Sequence, residues 1–242
     1  MTVPDFQRAR SAAAKQRRES AILDAARALG AERGIRQITL ADIGAAVGLH
    51  KSAMLRYFET REEIFLRLTA DGWREWSAAL RAGLEELQTP TPAAVAGVFA
   101  STLAARGLFC DLLAQAPLNL ERHVSLEAVR AFKLVTLAEV DAIVTVVRRL
   151  LPMLTERDGV DLIAAATAMS GAFWQMATPG PEVAALYRSD PRLAHAVVDV
   201  EPRVARLLEA MLTGTLEGGE AARYRSPRAR TGDSTRSAME RR

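Results

Sequence analysis

Two glycines four residues apart, Gly44 and Gly48, interrupt a run that otherwise favours helix, TLADIGAAVGLHKSAMLRYF (residues 39–58). Glycine costs about 1 kcal/mol relative to alanine in a helix interior, so a helix built only for packing would not carry both. Two short helices joined by a tight turn can cross steeply only where their contacting residues are small. We therefore predict that Gly44 faces a second helix and that Gly48 lies in the turn with a positive φ.

The residues on either side of the turn predict a helix-turn-helix. Thr39 is a suitable N-cap for a first helix over about 40–46, with Asp42 three residues on as a near capping box. A second helix is predicted over about 50–57, with Leu49 and Met54 filling the core beneath it. Such a second helix stands across the first and can enter the major groove of duplex DNA.

The spacing of apolar residues along the whole chain predicts an all-α protein. Apolar residues make up 49% of the 242 positions and recur mostly at intervals of three and four. We expect a flexible basic arm over 1–16, a three-helix head over 17–62, a larger helical body over 63–213 and a disordered tail over 214–242. The predicted helices lie near 17–33, 40–46, 50–57, 61–87, 92–105, 107–116, 125–151, 156–176, 182–187 and 200–213.

Charge and cysteine content narrow the class of protein. Residues 1–62 contain 11 Lys/Arg against 7 Asp/Glu, a net +4, whereas residues 63–213 contain 14 against 18, a net −4. This asymmetry favours a polyanionic partner for the amino-terminal third. The single cysteine, Cys110, excludes an internal disulfide and is consistent with a cytoplasmic location. No apolar run is as long as a membrane span, and the first residues do not resemble a secretory signal, so we expect no membrane partner.

Residues 39–68 resemble the amino-terminal domain of the tetracycline-repressor (TetR) family of bacterial transcription regulators, and the match extends over about 22–68. The matching residues are Thr39, Ile43-Gly44, Gly48-Leu49, His50-Lys51-Ser52-Ala53-Met54-Leu55, Tyr57-Phe58 and Thr60-Arg61-Glu62-Glu63-Ile64. Three positions depart from the family pattern: Gly44 replaces an alanine, His50 a serine cap and Leu55 a tyrosine.

The resemblance implies a ligand-responsive repressor that a small molecule releases from a palindromic double-stranded DNA operator. It implies a homodimer formed by helices 156–176 and 200–213, and a ligand-binding and dimerisation domain over 63–213. Small residues around Ala168 and Gly171 suit close helix approach at that interface. No cofactor is implied.

The candidate DNA-binding residues follow from the predicted helix-turn-helix and from the same resemblance. Lys51 can donate to guanine, Ala53 and Leu55 can meet thymine methyl groups, and the rest suit base or phosphate contacts. The full set is Thr39, His50, Lys51, Ser52, Ala53, Leu55, Arg56, Tyr57 and Arg61. The alternative for each is an ordinary solvated or core side chain. The basic arm, with Arg8, Arg10, Lys15, Arg17 and Arg18, lies along DNA or is simply solvated.

The ligand pocket implied by the family would be lined by large apolar side chains of the middle helices. The candidates are Trp76, Phe99, Phe109, Phe132, Met169 and Trp174. The alternative for each is that it is an ordinary side chain of the core or of an interface.

Two other classes of function remain open from sequence. One is an all-α small-molecule-binding protein without DNA binding, and the other is an enzyme that uses the same cavity. The enzyme is disfavoured because His50, His123 and His195 are far apart and no catalytic or metal-binding motif occurs. Glu121 and His123 could share a metal through a loop, but an exposed linker is the simpler interpretation.

Overall fold

The computed structural model describes the backbone of residues 3–225 and the side chains of residues 13–218, and this part of the chain is helical without a strand. The α-helices in chain order are α1 (Val3–Arg33), α2 (Leu40–Ala46), α3 (Lys51–Met54), α4 (Arg61–Glu85), α5 (Pro92–Ala104), α6 (Gly107–Gln115), α7 (Leu126–Leu150), α8 (Glu156–Ala177), α9 (Pro181–Ser189) and α10 (Val200–Arg225). Short 3₁₀ turns join some of them, at Ile35–Gln37, Leu120–Arg122 and Pro191–Ala196.

Hydroxyl side chains determine where five of these ten described helices begin. In each case a Ser or Thr oxygen accepts a hydrogen bond from the backbone N–H three residues further on, which satisfies a donor that the helix itself leaves free. These caps are Thr39, Thr60, Thr91, Ser125 and Thr155. Because such caps are visible in the sequence, the predicted starts of α2, α4, α5, α7 and α8 agree with the structure.

Two helices extend more than two residues beyond their predicted bounds. α1 begins at Val3, where the sequence predicted a flexible arm over 1–16, and α10 continues to Arg225, where a disordered tail was predicted from residue 214. Residues 5–19 are rich in Ala, Arg, Gln and Lys, which are strong helix formers, and contain neither Gly nor Pro. Residues 1–2 and 226–242 of the predicted arm and tail lie outside the described residues, as do the side chains of Arg8 and Arg10.

One helix is shorter than predicted. α3 ends at Met54 rather than near Tyr57, because the chain tightens into turns in which Arg56 N–H bonds to Ala53 O and Tyr57 N–H to Met54 O. Three-residue hydrogen bonds therefore follow α3, and a single four-residue bond, from Phe58 N–H to Met54 O at 3.1 Å, closes the segment.

One apolar core runs through both parts of the molecule. In the head, α1, α2, α3 and the start of α4 enclose Ile22, Ile43, Met54 and Phe58. In the body, α4 packs on α7, α6 on α8, and α5 on α10. α4 belongs to both parts, since it buries Ile64 near the head and Leu80 in the body, and it therefore connects them as one rod.

Candidate nucleic-acid interface

The two glycines hold α2 and α3 together in the way that the sequence predicts. Gly48 has φ +67°, in the left-handed region that suits glycine. Gly44 is buried, and a Cβ built on it would lie 2.7 Å from the Leu49 carbonyl oxygen and 3.3 Å from Met54 Cγ. Leu49 N–H in turn donates to Gly44 O at 2.8 Å. The backbone of α2 thus meets the turn directly, and this lets α3 cross it.

A capping box fixes the start of α2. Asp42 N–H donates to Thr39 Oγ1 at 3.2 Å, while Thr39 N–H and Oγ1–H donate to Asp42 Oδ2 at 2.8 and 2.6 Å. The hydrogen bonds from the Thr39 side chain and backbone hold the pKa of Asp42 below its usual value. The Thr39 hydroxyl is exposed, but its proton and the Thr39 N–H are both donated to Asp42, so a phosphate, which only accepts, would have to bind the adjoining backbone N–H groups at the start of α2.

His50 caps α3 more loosely. Its Nδ1 lies 3.5 Å from Ser52 N and 3.2 Å from Ser52 Oγ, whereas the Thr39 and Thr60 oxygens accept at 3.2 and 3.1 Å. The departure from a serine cap thus leaves a weaker hydrogen bond, and it orients the Ser52 hydroxyl towards the imidazole.

The outer side of α3 and of the turn after it is open to solvent. Lys51, Ser52, Arg56 and Leu55 are exposed, with 51% of Leu55 accessible. Ala53 and Tyr57 are half-buried, and the intervening Met54 and Phe58 anchor the segment in the core.

The two cations of this face are free of internal partners. Neither Lys51 nor Arg56 lies within 4.0 Å of a carboxylate oxygen in the part of the chain that is described. Leu55 is thus an exposed apolar side chain near two exposed cations, Lys51 and Arg56. Such a combination can contact base edges and phosphates at the same time.

Arg61 does not lie on this face. Its Nη2 donates to the Ile35 carbonyl at 3.0 Å, its Nη1 pairs with Glu62 at 3.1 Å, and the guanidinium lies 5.2 Å from the centre of the Phe65 ring. The side chain is 25% exposed. This geometry favours a role in joining α4 to the turn before α2 over the phosphate contact that the sequence predicts.

Comparison with known proteins identifies both parts of the chain. The family model described as "Bacterial regulatory proteins, tetR family" matches residues 22–68. The model described as "Tetracyclin repressor-like, C-terminal domain" matches residues 70–219, which is more than half of the chain. The chain belongs to the tetR family of bacterial regulatory proteins. It is therefore a ligand-responsive, DNA-binding transcription regulator, as the resemblance implied.

Solved structures of family members share the fold at low identity. Thermus thermophilus FadR, a TetR family transcriptional repressor in complex with lauroyl-CoA, is 18% identical, with 83% of this chain and 94% of that chain covered and a TM-score of 0.55. A Pseudomonas aeruginosa PAO1 protein described as a transcriptional regulator is 13% identical, with 86% and 94% covered and a TM-score of 0.53. No curated protein sequence matches the chain. At these identities the likeness concerns the fold alone.

The body of this tetR-family protein contains a close-packed aromatic cluster where the sequence predicts a ligand pocket. Trp76 lies 6.1 Å from Phe99 and 6.0 Å from Phe109 between ring centres, and Trp73 lies 5.4 Å from Trp76. Trp76 Nε1–H donates to Thr102 Oγ1 at 3.1 Å. These rings come from α4, α5 and α6, so the cluster ties the connecting rod to its two neighbours.

The other predicted pocket residues are dispersed. Phe132 is buried on α7, Met169 is half-buried on α8, and Trp174 lines a cleft of about 580 Å³ between the head and the body. Neither this cleft nor a second one of about 340 Å³ beside Tyr187 and His195 is lined by the other five. The structure thus brings three of the six together, as packed core.

The predicted dimer face is only partly free. Gly171 is buried against α6 of its own chain, where an added Cβ would lie 3.0 Å from Ala114 N, so the prediction that it faces a partner subunit is wrong. Ala168, in contrast, is exposed. It belongs to a stripe of exposed small or apolar residues spaced by four along α8, namely Val160, Ala164, Ala168, Ala172 and Met176.

Sequence reasoning missed a polar link between head and body. Asp111 on α6 is buried, and its carboxylate accepts hydrogen bonds from the Ile35 backbone and the Gln175 side chain, both at 2.8 Å. The only signal in the sequence was a lone acidic residue inside the apolar run GLFCDLL.

Two further features bear on other functions. Within residues 13–218, no three His, Cys, Asp or Glu side chains are placed to hold a metal ion. No single described helix is both long and apolar enough to cross a membrane; the sharply bent pair α5 and α6 meets that test jointly, by length and composition alone.

Proposed function

We propose that this protein is a cytoplasmic homodimeric repressor that binds a palindromic operator through the exposed side of α3. One observation supports it most strongly. The left-handed turn at Gly48 and the backbone contact at Gly44 hold α3 across α2, with Lys51 and Arg56 exposed and without an ion-pair partner among the described side chains. We propose residues 17–62 as the DNA-binding head and residues 63–213 as the ligand and dimerisation body.

We propose specific roles along the α3 face. Lys51, at the start of the helix, donates to guanine O6 or N7, and Ser52 reaches a neighbouring base or phosphate. Ala53 and Leu55 contact thymine methyl groups, while Arg56 and Tyr57 contact phosphates. Thr39 and His50 lie at the rim, where they limit how deeply the helix enters the groove.

The homodimer is proposed to form through the exposed stripe on α8 together with α10. Alanines at 164, 168 and 172 permit close helix approach, and Val160 and Met176 add apolar area at either end. A two-fold axis through this contact would present two α3 faces to one side of a duplex. Half-sites would then be about 34 Å apart, or a little more, centre to centre.

The effector is proposed to be a small, largely apolar molecule that acts on the aromatic cluster around Trp76, Phe99 and Phe109. This cluster grips α4 in the body, and α4 also buries Ile64 and Phe65 against the head. A molecule that separates the rings would shift the rod and hence α3. It changes DNA affinity only if it binds the two arrangements unequally.

Selection from a pool of random duplexes tests the proposal. We expect enrichment of an inverted repeat whose half-sites are about one helical turn apart. The matched control is Lys51→Ala, which keeps the fold but removes the proposed guanine contact and should enrich a less defined sequence. Recovery of no common sequence by the wild-type protein would contradict the proposed function.

A further inference from the structure

Asp111 is a buried carboxylate shared between the body and the head. Only 6% of the residue is exposed. Its Oδ2 accepts a hydrogen bond from Ile35 N–H at 2.8 Å, and its Oδ1 accepts one from Gln175 Nε2 at 2.8 Å. Asp111 is on α6 and Gln175 on α8, whereas Ile35 begins the 3₁₀ turn between α1 and α2. One side chain therefore links two body helices to the segment that leads into the helix-turn-helix.

Ile35 is held from both sides. Its carbonyl oxygen accepts from Arg61 Nη2 at 3.0 Å, and its own side chain is completely buried. The preceding residue, Gly34, has φ +78°, and an added Cβ there would lie 3.6 Å from Asp111 Oδ2. Ile35 thus has its N–H bound by the body and its C=O bound by α4, five residues before α2 begins at Leu40.

This arrangement is costly unless the head is docked. A buried carboxylate without a neighbouring cation loses its hydration and needs other donors in return. No Lys, Arg or His nitrogen of the described side chains lies within 4.0 Å of Asp111. One of its two donors is supplied by the head itself, so the carboxylate keeps both of these hydrogen bonds only in one position of the head relative to α6.

We infer that Asp111 is a positioning residue that transmits the state of the body to the DNA-binding head, in parallel with α4. α6 carries Phe109 two residues earlier, and the Phe109 ring packs 5.8 Å from Trp73 and 6.0 Å from Trp76. A displacement of the aromatic cluster moves α6, changes the Asp111–Ile35 hydrogen bond and so changes the freedom of α2 and α3. The inference rests on the proposed function, because it concerns how DNA binding is controlled.

Three variants separate this role from simple packing. Asp111→Ala removes both hydrogen bonds. Asp111→Asn is the matched control, since its amide oxygen can accept from Ile35 N–H and its NH₂ can donate to a rotated Gln175 amide. Gln175→Leu removes only the bond to α8 and leaves the bond to Ile35 in place.

Amide hydrogen exchange measures the protection that the Asp111 hydrogen bond gives the Ile35 N–H in the absence of DNA. In Asp111→Ala we expect the Ile35 amide to exchange about 10- to 100-fold faster, because it loses a hydrogen bond to a charged group. Gln175→Leu should stay within about threefold of wild type, and Asp111→Asn, which keeps the acceptor but loses its charge, should exchange at a rate between those of wild type and Asp111→Ala. An Ile35 amide in the wild type that exchanges as fast as an exposed one would overturn the inference, whether or not the alanine variant folds.

DNA binding distinguishes a positioning role from a structural one. On the selected duplex, Asp111→Ala should lose about tenfold in affinity with an unchanged salt dependence, because a loosened head must be ordered on binding while its phosphate contacts are kept. Faster exchange at Ile35 with unchanged DNA affinity would reduce Asp111 to a structural group. If wild type binds no duplex selectively, the proposed function fails, while the exchange result still stands.

Discussion

Gly44 and Gly48 constrain the head in different ways. At Gly44 the constraint is space, because an added Cβ would meet the Leu49 carbonyl at 2.7 Å. At Gly48 it is conformation, because φ is +67° while nothing lies within 4 Å of an added Cβ. A side chain is therefore disfavoured by contact at the first position and by backbone strain at the second.

Gly48→Ala should destabilise the protein by about 1 kcal/mol, because the left-handed backbone conformation is strained for alanine. The control is Gly97→Ala, in the middle of α5, where an added Cβ also meets nothing within 4 Å but φ is not positive. That change should stabilise the protein by about 0.5–1 kcal/mol. Urea denaturation of both variants measures the difference, and shifts of the same sign would refute the explanation.

Lys51→Ala should weaken the free energy of binding to the selected duplex by about 1–3 kcal/mol and relax the sequence preference at one base pair. Arg188→Ala provides a control that removes one exposed positive charge from α9, outside the head. Titrations on selected and scrambled duplexes compare the two. Equal losses on both duplexes for Lys51→Ala would mean that Lys51 contacts phosphate and not a base.

Cys110 should be unreactive in the folded protein. Burial, with a smaller contribution from the neighbouring Asp111, raises the pKa of the Cys110 thiol to about 12, and the thiol donates to Leu103 O at 3.3 Å. Because the thiolate is the nucleophile, iodoacetamide at pH 8 should modify Cys110 in urea but not under native conditions. Rapid modification of the native protein would show that α6 opens readily.

Residues whose role depends on local stereochemistry could be predicted from the sequence, whereas those that depend on distant partners could not. The turn glycine Gly48 and the cap Thr39 act on neighbours within a few positions. Arg61 binds a carbonyl 26 residues earlier, and Asp111 binds an amide 76 residues earlier. Only tertiary packing brings such groups together, so the sequence predicts a phosphate contact for Arg61 and gives no sign of its hydrogen bond to Ile35.

At the scale of single elements, α8 has one face for its own chain and another for solvent. Gly159 and Gly171 pack inside, against Val144 of α7 and Ala114 of α6, while Ala164, Ala168 and Ala172 face outward. The sequence identified the small residues of α8 but not which neighbour each side meets, because helical periodicity defines faces and not their partners.

Ala168→Glu should therefore convert the proposed dimer into monomers, because it places a charge in the middle of the proposed interface. Ala138→Glu, at an exposed site on α7, is the matched control and should leave the assembly unchanged. Sedimentation velocity separates the two states. Gly171→Glu, by contrast, should disrupt the packing of α6 on α8 within the subunit. If the Ala168→Glu protein were still dimeric, the interface would have to lie elsewhere.

At the scale of the whole molecule, a helix-turn-helix head and a larger helical body are joined by α4 and by the Asp111 link. The head could be predicted in detail since its turn and caps are local. The body could be predicted only as helices, because the rings of Trp76, Phe99 and Phe109 come from three elements and their close packing is a property of the assembled fold. Control of DNA binding is accordingly expected to reside in the contacts between elements.

The salt dependence of binding to the selected duplex is the most direct test of the central claim that this protein reads DNA through paired basic heads. If the dimer neutralises about six phosphates, affinity should fall about 10³-fold between 50 and 200 mM salt, with a logarithmic slope near −5. The same titration on a scrambled duplex should give weaker binding throughout. An affinity that stays flat over this range, or is equal on the two duplexes, would contradict the account.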